Sequence, residues 1–306
     1  MVVSKSKTGN GEVKLITCSM LKDLDNFSVL SSTMDECIKG DFKHLVIVPK
    51  CDTKYFQKFA NQNRDIVAQE ELLPRNLLML TDFGKILPKV SKRFRRPIYL
   101  DRNFKMLRGW IIQQLLKLEA TRLSDTQAVM HIDSDVLFFR DMQNKDMFIE
   151  GKPIIFHVDR HSTDQTNPIW TASAEKILNQ KSDEDSEGNY VENCIVWDTQ
   201  IVRDMIDHIE AVHGAGLFEV LSKQKSISEY QTYGIFSGPY VANGQLRAIK
   251  TSICNSIWEP GSYEDYMKSV EMNMDPRHCA IGIQSTTDFP ADQRIRLYEW
   301  ARKLFA

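Results

Sequence analysis

Short apolar runs that alternate with segments of helical spacing limit what this chain can fold into. "VKLITCSM" reads as a buried strand, and "LDNFSVLSSTMDECIKG" as a helix ending at Gly40. "HLVIVPK" is a second strand closed by Pro49, and "DTKYFQKFANQN" has helical spacing with Asp52 at its start. "RDIVAQEELL" offers a third strand and "PIYL" a short fourth element. A β-α-β-α alternation implies an α/β fold with a mostly parallel central sheet flanked by helices. Ligands on such sheets bind at the carboxyl ends of the strands.

The 306 residues, 42% hydrophobic and 26% charged, suffice for a sizeable core. A formal net charge of -2 argues against a general nucleic-acid-binding surface. The six cysteines, Cys18, Cys37, Cys51, Cys194, Cys254 and Cys279, form no CxxC pair, as in a reducing compartment. No apolar run follows the lysines of the first residues, and no run of eighteen apolar residues occurs, so the expected location is cytoplasmic. With neither a repeat nor a Pro/Ser/Gly linker, residues 1–140 and 141–306 are expected to be two halves of one unit.

The longest helical pattern runs from Asn103 to Leu123, with Leu107, Ile111, Leu115 and Leu118 as its apolar stripe. Gln113 and Lys117 share another face, which is either solvated or functional. This helix leads into "AVMHIDSDVLFF", where Asp133 and Asp135 flank one serine between apolar runs. Carboxylates are costly to bury and repel one another, so the pair needs a cation, protein donors or solvent. Oxygen ligands at this spacing suit Mg²⁺ or Mn²⁺, which take further ligands from water and phosphates.

"HIDSDVLFF", preceded by "RGWIIQQLLKL" and followed downstream by "SEYQTYG", resembles the D-x-D glycosyltransferases of the GT-A fold, particularly the bacterial group that builds capsule and lipopolysaccharide-type glycans. The resemblance runs from "KLITCSM" to "AIGIQS". It implies a Rossmann-like nucleotide half, residues 1–140, and an acceptor half, residues 141–306. The implied reaction moves a sugar from a nucleotide-sugar donor, a UDP- or GDP-sugar, to a glycan or lipid-linked acceptor.

By that resemblance Asp135 binds Mn²⁺ or Mg²⁺ directly, while Asp133 reaches the ribose or a metal-bound water. Lys117, Gln113 and Arg108 are candidates for the donor's phosphates or sugar, and Asn193 for the donor sugar. Thr17, Ser19 and Asp52, at the ends of the first two strands, are candidates for the nucleotide pocket; Asp52 may equally cap a helix and Thr17 end a strand. Inversion needs a carboxylate base. Glu229 is the first candidate, the alternative being that it serves at the start of a helix as a dipole partner, and Asp198 is the second. His278 is the candidate third metal ligand, but the fuller histidine motif of the retaining families is missing. His131 reads as a core residue.

Two basic segments bear on location. "KVSKRFRRP", Lys89 to Pro97, and the C-terminal "QRIRLYEWARKLFA" suggest peripheral contact with an anionic membrane. In the second, Leu297, Trp300 and Leu304 share a face bordered by Arg294, Arg296, Arg302 and Lys303, a stripe that would serve equally to dock the helix on its own domain. A retaining glycosyltransferase, a D-x-D phosphatase and a non-catalytic carbohydrate-binding protein are the competing readings. The phosphatase is disfavoured because its pair belongs on the first strand, and here Leu137 stands where a Thr or Val is wanted.

Overall fold

The structure is a computed structural model that describes residues 12–75, 77–80, 98–100, 106–159, 167–182, 188–287 and 289–306. Its centre is a five-stranded sheet built from β1 (Val13–Cys18), β2 (Lys43–Val48), β3 (Arg64–Ala68), β4 (Ala128–Ile132) and β6 (Cys194–Asp198). The order is β6-β4-β1-β2-β3, and every neighbour pair is parallel except β6–β4. The α/β class with a mostly parallel sheet is therefore what the chain adopts. Strands buried on both faces need near-continuous apolar sequence, which "VKLITC" and "AVMHI" provide.

Side chains alternate across the sheet, so consecutive residues feed opposite layers. Leu15, Val46 and Met130 enter one core with α1 (Leu24–Cys37) and α6 (Ala291–Phe305). Ile16, Ile47, Val129 and Trp197 enter the other, with α2 (Gly109–Arg122), α4 (Thr199–His213) and α5 (Glu229–Phe236). A second sheet, ordered β7-β8-β5, joins Cys254–Ile257, Ala280–Ile283 and Val136–Phe138. The halves on either side of residue 140 thus share both sheets, since β6 completes the first and β5 the second.

Several elements differ from the sequence pattern. The helix expected from Asn103 begins at Gly109, because Met106–Leu107 pairs as a strand with Ile98–Leu100 and Arg108 keeps an extended backbone. Residues 103–105 lie outside the described residues. "PIYL" contributes to that separate antiparallel sheet and not to the central one. The helix after Asp52 covers only Thr53–Phe56 with a 3-10 turn to Phe59, since Asn61 and Arg64 exchange backbone hydrogen bonds and turn the chain into β3. β3 itself stops at Ala68. α3 (Asn167–Leu178) has no counterpart in the sequence reading.

The C-terminal helix docks on the protein through part of the face proposed for a membrane. Leu297 and Ala301 are fully buried, and buried Arg294 donates to the Asp135 carbonyl at 3.0 Å. Of the stripe named for membrane contact, Leu297 is thus spent on the core and Trp300 partly so, while Leu304 is 54% exposed. The basic run Lys89 to Pro97 lies outside the described residues. Among those described, no helix is long and apolar enough to cross a membrane.

α5 packs so closely on the loop before β6 that a Cβ added at Gly234 would stand 2.1 Å from the Tyr190 ring. Gly234→Ala should therefore lower stability by about 1–3 kcal/mol through overpacking. A urea midpoint that falls with unchanged slope would show it.

Candidate active site

The three stretches "RGWIIQQLLKL", "HIDSDVLFF" and "SEYQTYG" converge on one ammonium group. Lys117, on α2, is buried, and its Nζ lies 3.1 Å from Asp133 Oδ1 and 3.1 Å from Glu229 Oε1. It also donates to the Tyr230 hydroxyl at 2.5 Å and stands 4.4 Å from that ring's centre. Burial opposes the charge, but Asp133, Tyr230 and Glu229 together hold Lys117 well above the ordinary lysine value. An i, i+4 step on α2 sets Gln113 on the same face, and both residues line the cavity described below. The neighbouring Gln114 accepts from the Glu229 backbone N–H at 3.0 Å, fixing the start of α5 against α2.

Asp133 and Asp135 lie just past the carboxyl end of β4, where the chain turns between β4 and β5. The Asp133 N–H donates to the Asn193 carbonyl at 3.0 Å, and the Val136 N–H returns to the Asp133 carbonyl at 3.3 Å. Asp135 Oδ2 accepts from the Ser285 N–H at 2.7 Å, whereas its Oδ1 is buried and has no hydrogen-bond partner. Burial, and then the Asp133 charge, push the Asp135 carboxyl up to about 7. Glu192 completes the group. It is 8% exposed, and burial pushes it up to about 7 as well, opposed by the Ser256 hydroxyl and by the Asn193 N–H at 2.8 Å. Burial likewise raises Glu229, which is 1% exposed, with Lys117 opposing.

A cavity of about 280 Å³ opens over these groups, lined by Lys117, Asp133, Asp135, Glu192, Asn193 and Glu229 among others. A larger cavity of about 710 Å³ shares Cys18, Lys22, Asp23, Trp110 and Gln113 with it and extends past Ser19, Gln69, Tyr99 and Arg108. Both lie where the sheet's carboxyl ends meet α2, the ligand edge of an open α/β sheet.

A family model described as a family of unknown function, DUF6492, matches residues 12–298. The chain belongs to that family. No curated protein matches it. Among solved structures it is similar to an active-site mutant of LgtC, with a TM-score of 0.49 and 11% identity over 95% of this chain and 100% of that one. It is also similar to the galactosyltransferase LgtC in complex with donor and acceptor sugar analogs, with a TM-score of 0.46 and 9% identity over 94% and 95% of the two chains. Mouse xyloside xylosyltransferase 1, in its apo form, gives a TM-score of 0.44 and 9% identity over 91% and 100%.

In this DUF6492 chain the other expected residues divide by position. Asn193 lines the smaller cavity, with its amide on the Ser256 hydroxyl at 3.0 Å; Ser19 and Arg108 line the larger one. Thr17 does not face either cavity, because its hydroxyl is buried against His44 at 3.0 Å inside the sheet. Asp52 accepts from the Leu21 N–H at 2.9 Å and so ties down the loop after β1. Its carboxylate makes no cap to the following helix.

Asp198 is not brought to the carboxylates. β6 runs antiparallel to β4, which sets Asp198 opposite Ala128 at the far end, where it caps α4 through the Gln200 and Ile201 N–H groups. His278 is also remote, because Gly282 pairs with Val136 near Asp135 while His278 precedes the opposite end of β8 and accepts from the Asp275 N–H at 3.0 Å. Among the described residues, no group of three or more His, Cys, Asp or Glu could hold a metal. His131 is fully buried, bonded to Thr121 and packed on Trp197 at 4.3 Å.

Two expected outcomes follow from this electrostatics. Lys117→Met leaves Asp133 and Glu229 uncompensated and should cost about 3–5 kcal/mol at pH 8. A raised carboxyl stabilises the fold while protonated and loses that contribution as pH rises, so the deficit should shrink towards pH 5, as measured by denaturant unfolding at both values. Glu192→Gln should match the native chain near pH 4 and exceed its stability by about 1–3 kcal/mol at pH 8, because the native Glu192 must ionise between those limits.

Proposed function

We propose that this chain is a metal-dependent glycosyltransferase that moves a sugar from a UDP- or GDP-sugar to a glycan or lipid-linked acceptor hydroxyl in cell-surface polysaccharide synthesis. The observation that carries the reading is the Lys117–Asp133–Glu229 cluster, set beside an Asp135 oxygen without a partner in a cavity at the sheet's carboxyl edge. Glycosyl transfer is also what the similar solved structures are named for, although the reading rests on the site and on its motifs.

The donor set fits Mn²⁺ or Mg²⁺. Asp135 Oδ1 is an unengaged carboxylate oxygen and Asp133 is one residue removed, so two aspartates would hold a hard cation whose remaining ligands come from phosphate and water. When bound, the cation would neutralise the diphosphate as it leaves. Lys117 orients Asp133 by holding Oδ1, and Gln113, Lys22 and Arg108 line the path that the nucleotide would follow into the larger cavity. Asn193 lies where the donor sugar would sit.

Glu229 is the proposed base that takes the acceptor's proton, with inversion at the sugar carbon. Its burial gives it the affinity for a proton that this role requires, and Lys117 keeps it ionised until the proton arrives. Asp198 has no part in this assignment. The D-x-D phosphatase reading loses support, since the pair follows β4 rather than the first strand.

Calorimetry with UDP, GDP and their sugars, with and without Mn²⁺, tests the assignment. Metal-dependent binding of a nucleoside diphosphate is expected, and its absence would remove the reading. Asp135→Asn should abolish that binding. Glu229→Gln should keep it and slow transfer by about 10²–10⁴-fold. Product of retained anomeric configuration would overturn the inverting course.

A further inference from the structure

The smaller cavity has a feature that donor binding does not use. Three tryptophans stand on its lining, and two of them are unusually open for so large an apolar side chain: Trp110 is 47% exposed and Trp258 is 43% exposed. Trp110 and Trp170 lie nearly parallel, 11° apart with ring centres at 6.3 Å. They belong to the start of α2 and to α3, and both are fastened to the segment before α5. The Trp110 indole N–H donates to the Ile227 carbonyl at 2.7 Å, and Ser173, one turn beyond Trp170, donates to the Ser226 carbonyl at 2.6 Å.

Trp258 comes from the other side. It follows β7, whose Ile257 carbonyl accepts from the Gln284 N–H at 3.1 Å, and the next residue, Ser285, holds Asp135. One aromatic wall therefore belongs to the Glu229 side and the other to the Asp135 side, with carboxylates between them. Indole faces bind the C–H face of a pyranose ring, while carboxylates accept from its hydroxyls. A lipid tail, which has no donors, would leave those carboxylates unpaired, at a cost in desolvation.

Resting on the glycosyltransferase reading, we propose that Trp170, stacked on Trp110, and Trp258 form an acceptor subsite for a pyranose ring, so that the acceptor group in this cavity is a sugar. Trp110 borders both cavities, whereas Trp170 and Trp258 border only the smaller one, which separates the acceptor platform from the nucleotide path.

The test uses the full chain on a printed array of di- to hexasaccharides of glucose, galactose, mannose and their N-acetylamino forms, with UDP and Mn²⁺ present. Calorimetry follows UDP with Mn²⁺ in parallel. The native chain should bind a subset of glycans. Trp258→Ala, a change at an exposed side chain, should weaken that signal about tenfold and leave UDP affinity unchanged, and Trp258→Tyr should recover most of it. Trp170→Ala should weaken glycan binding in the same way, with thermal melting as the check on folding. The proposal falls if the native chain binds no glycan, if Trp258→Ala binds glycans like the native chain, or if UDP affinity falls in step with glycan binding, which would make the platform a nucleobase stack. Failure of nucleotide binding with tryptophan-dependent glycan binding intact would remove the transferase reading and leave the platform standing.

Discussion

The Lys117 ammonium is the point on which the site's geometry depends. It comes from the middle of α2, the carboxylate of Asp133 comes from the end of β4, and those of Glu229 and the Tyr230 ring come from the start of α5. A single buried charge would be expelled, and a single buried carboxylate would protonate. Together they fix the three elements to within the reach of one side chain. Removing one partner exposes the full desolvation cost of the others, which makes the cluster a constraint on position more than a source of net stability.

The two aspartates of the D-x-D occupy different environments although one residue separates them. Asp133 is engaged with Lys117 and looks towards α2 and α5. Asp135 is anchored from the second sheet, by the Ser285 N–H on Oδ2 and by Arg294 on its carbonyl, which leaves Oδ1 free. The turn between β4 and β5 is what separates them, since a continued strand would have pointed both to one face with equivalent surroundings. The tight approach of Gly282 to Asn193, where an added Cβ would stand 2.1 Å from the amide nitrogen, seals the same corner and keeps Asn193 against Ser256 and Glu192.

Periodicity made the α/β class and the first β-α-β-α elements readable, and it set Gln113 and Lys117 on one face of α2, because each follows from local spacing. The D-x-D was readable because acids flanked by apolar runs demand compensation. Glu192 was not readable. It precedes an ordinary apolar strand, and its character arises from burial in the folded cavity, where its partner Ser256 comes from 64 positions away. Asp198 looked like a site residue because it ends an apolar run, but the sign of the β6–β4 pairing sends it to the opposite edge of the sheet, and sequence does not state that sign. Thr17 and His278 illustrate the same limit: a polar residue near a strand end is a ligand or a core partner according to which neighbour the fold delivers.

Charge balance in the cavity gives the strongest physical reason to expect a cation there. Lys22 pairs with Asp23 at 3.5 Å, so the four acids Asp133, Asp135, Glu192 and Glu229 are met by Lys117, against Asp133 and Glu229, and by buried Arg294 beside Asp135. Lys117 is shared between Asp133 and Glu229, while burial above all pushes the Asp135 and Glu192 carboxyls up to about 7. On the proposed reading, a divalent cation held by Asp135 would displace a proton there, so its binding would strengthen as pH rises through neutrality. A diphosphate entering with that cation restores neutrality from the opposite direction. On that reading, the acid-rich cavity suits a ligand that brings its own metal.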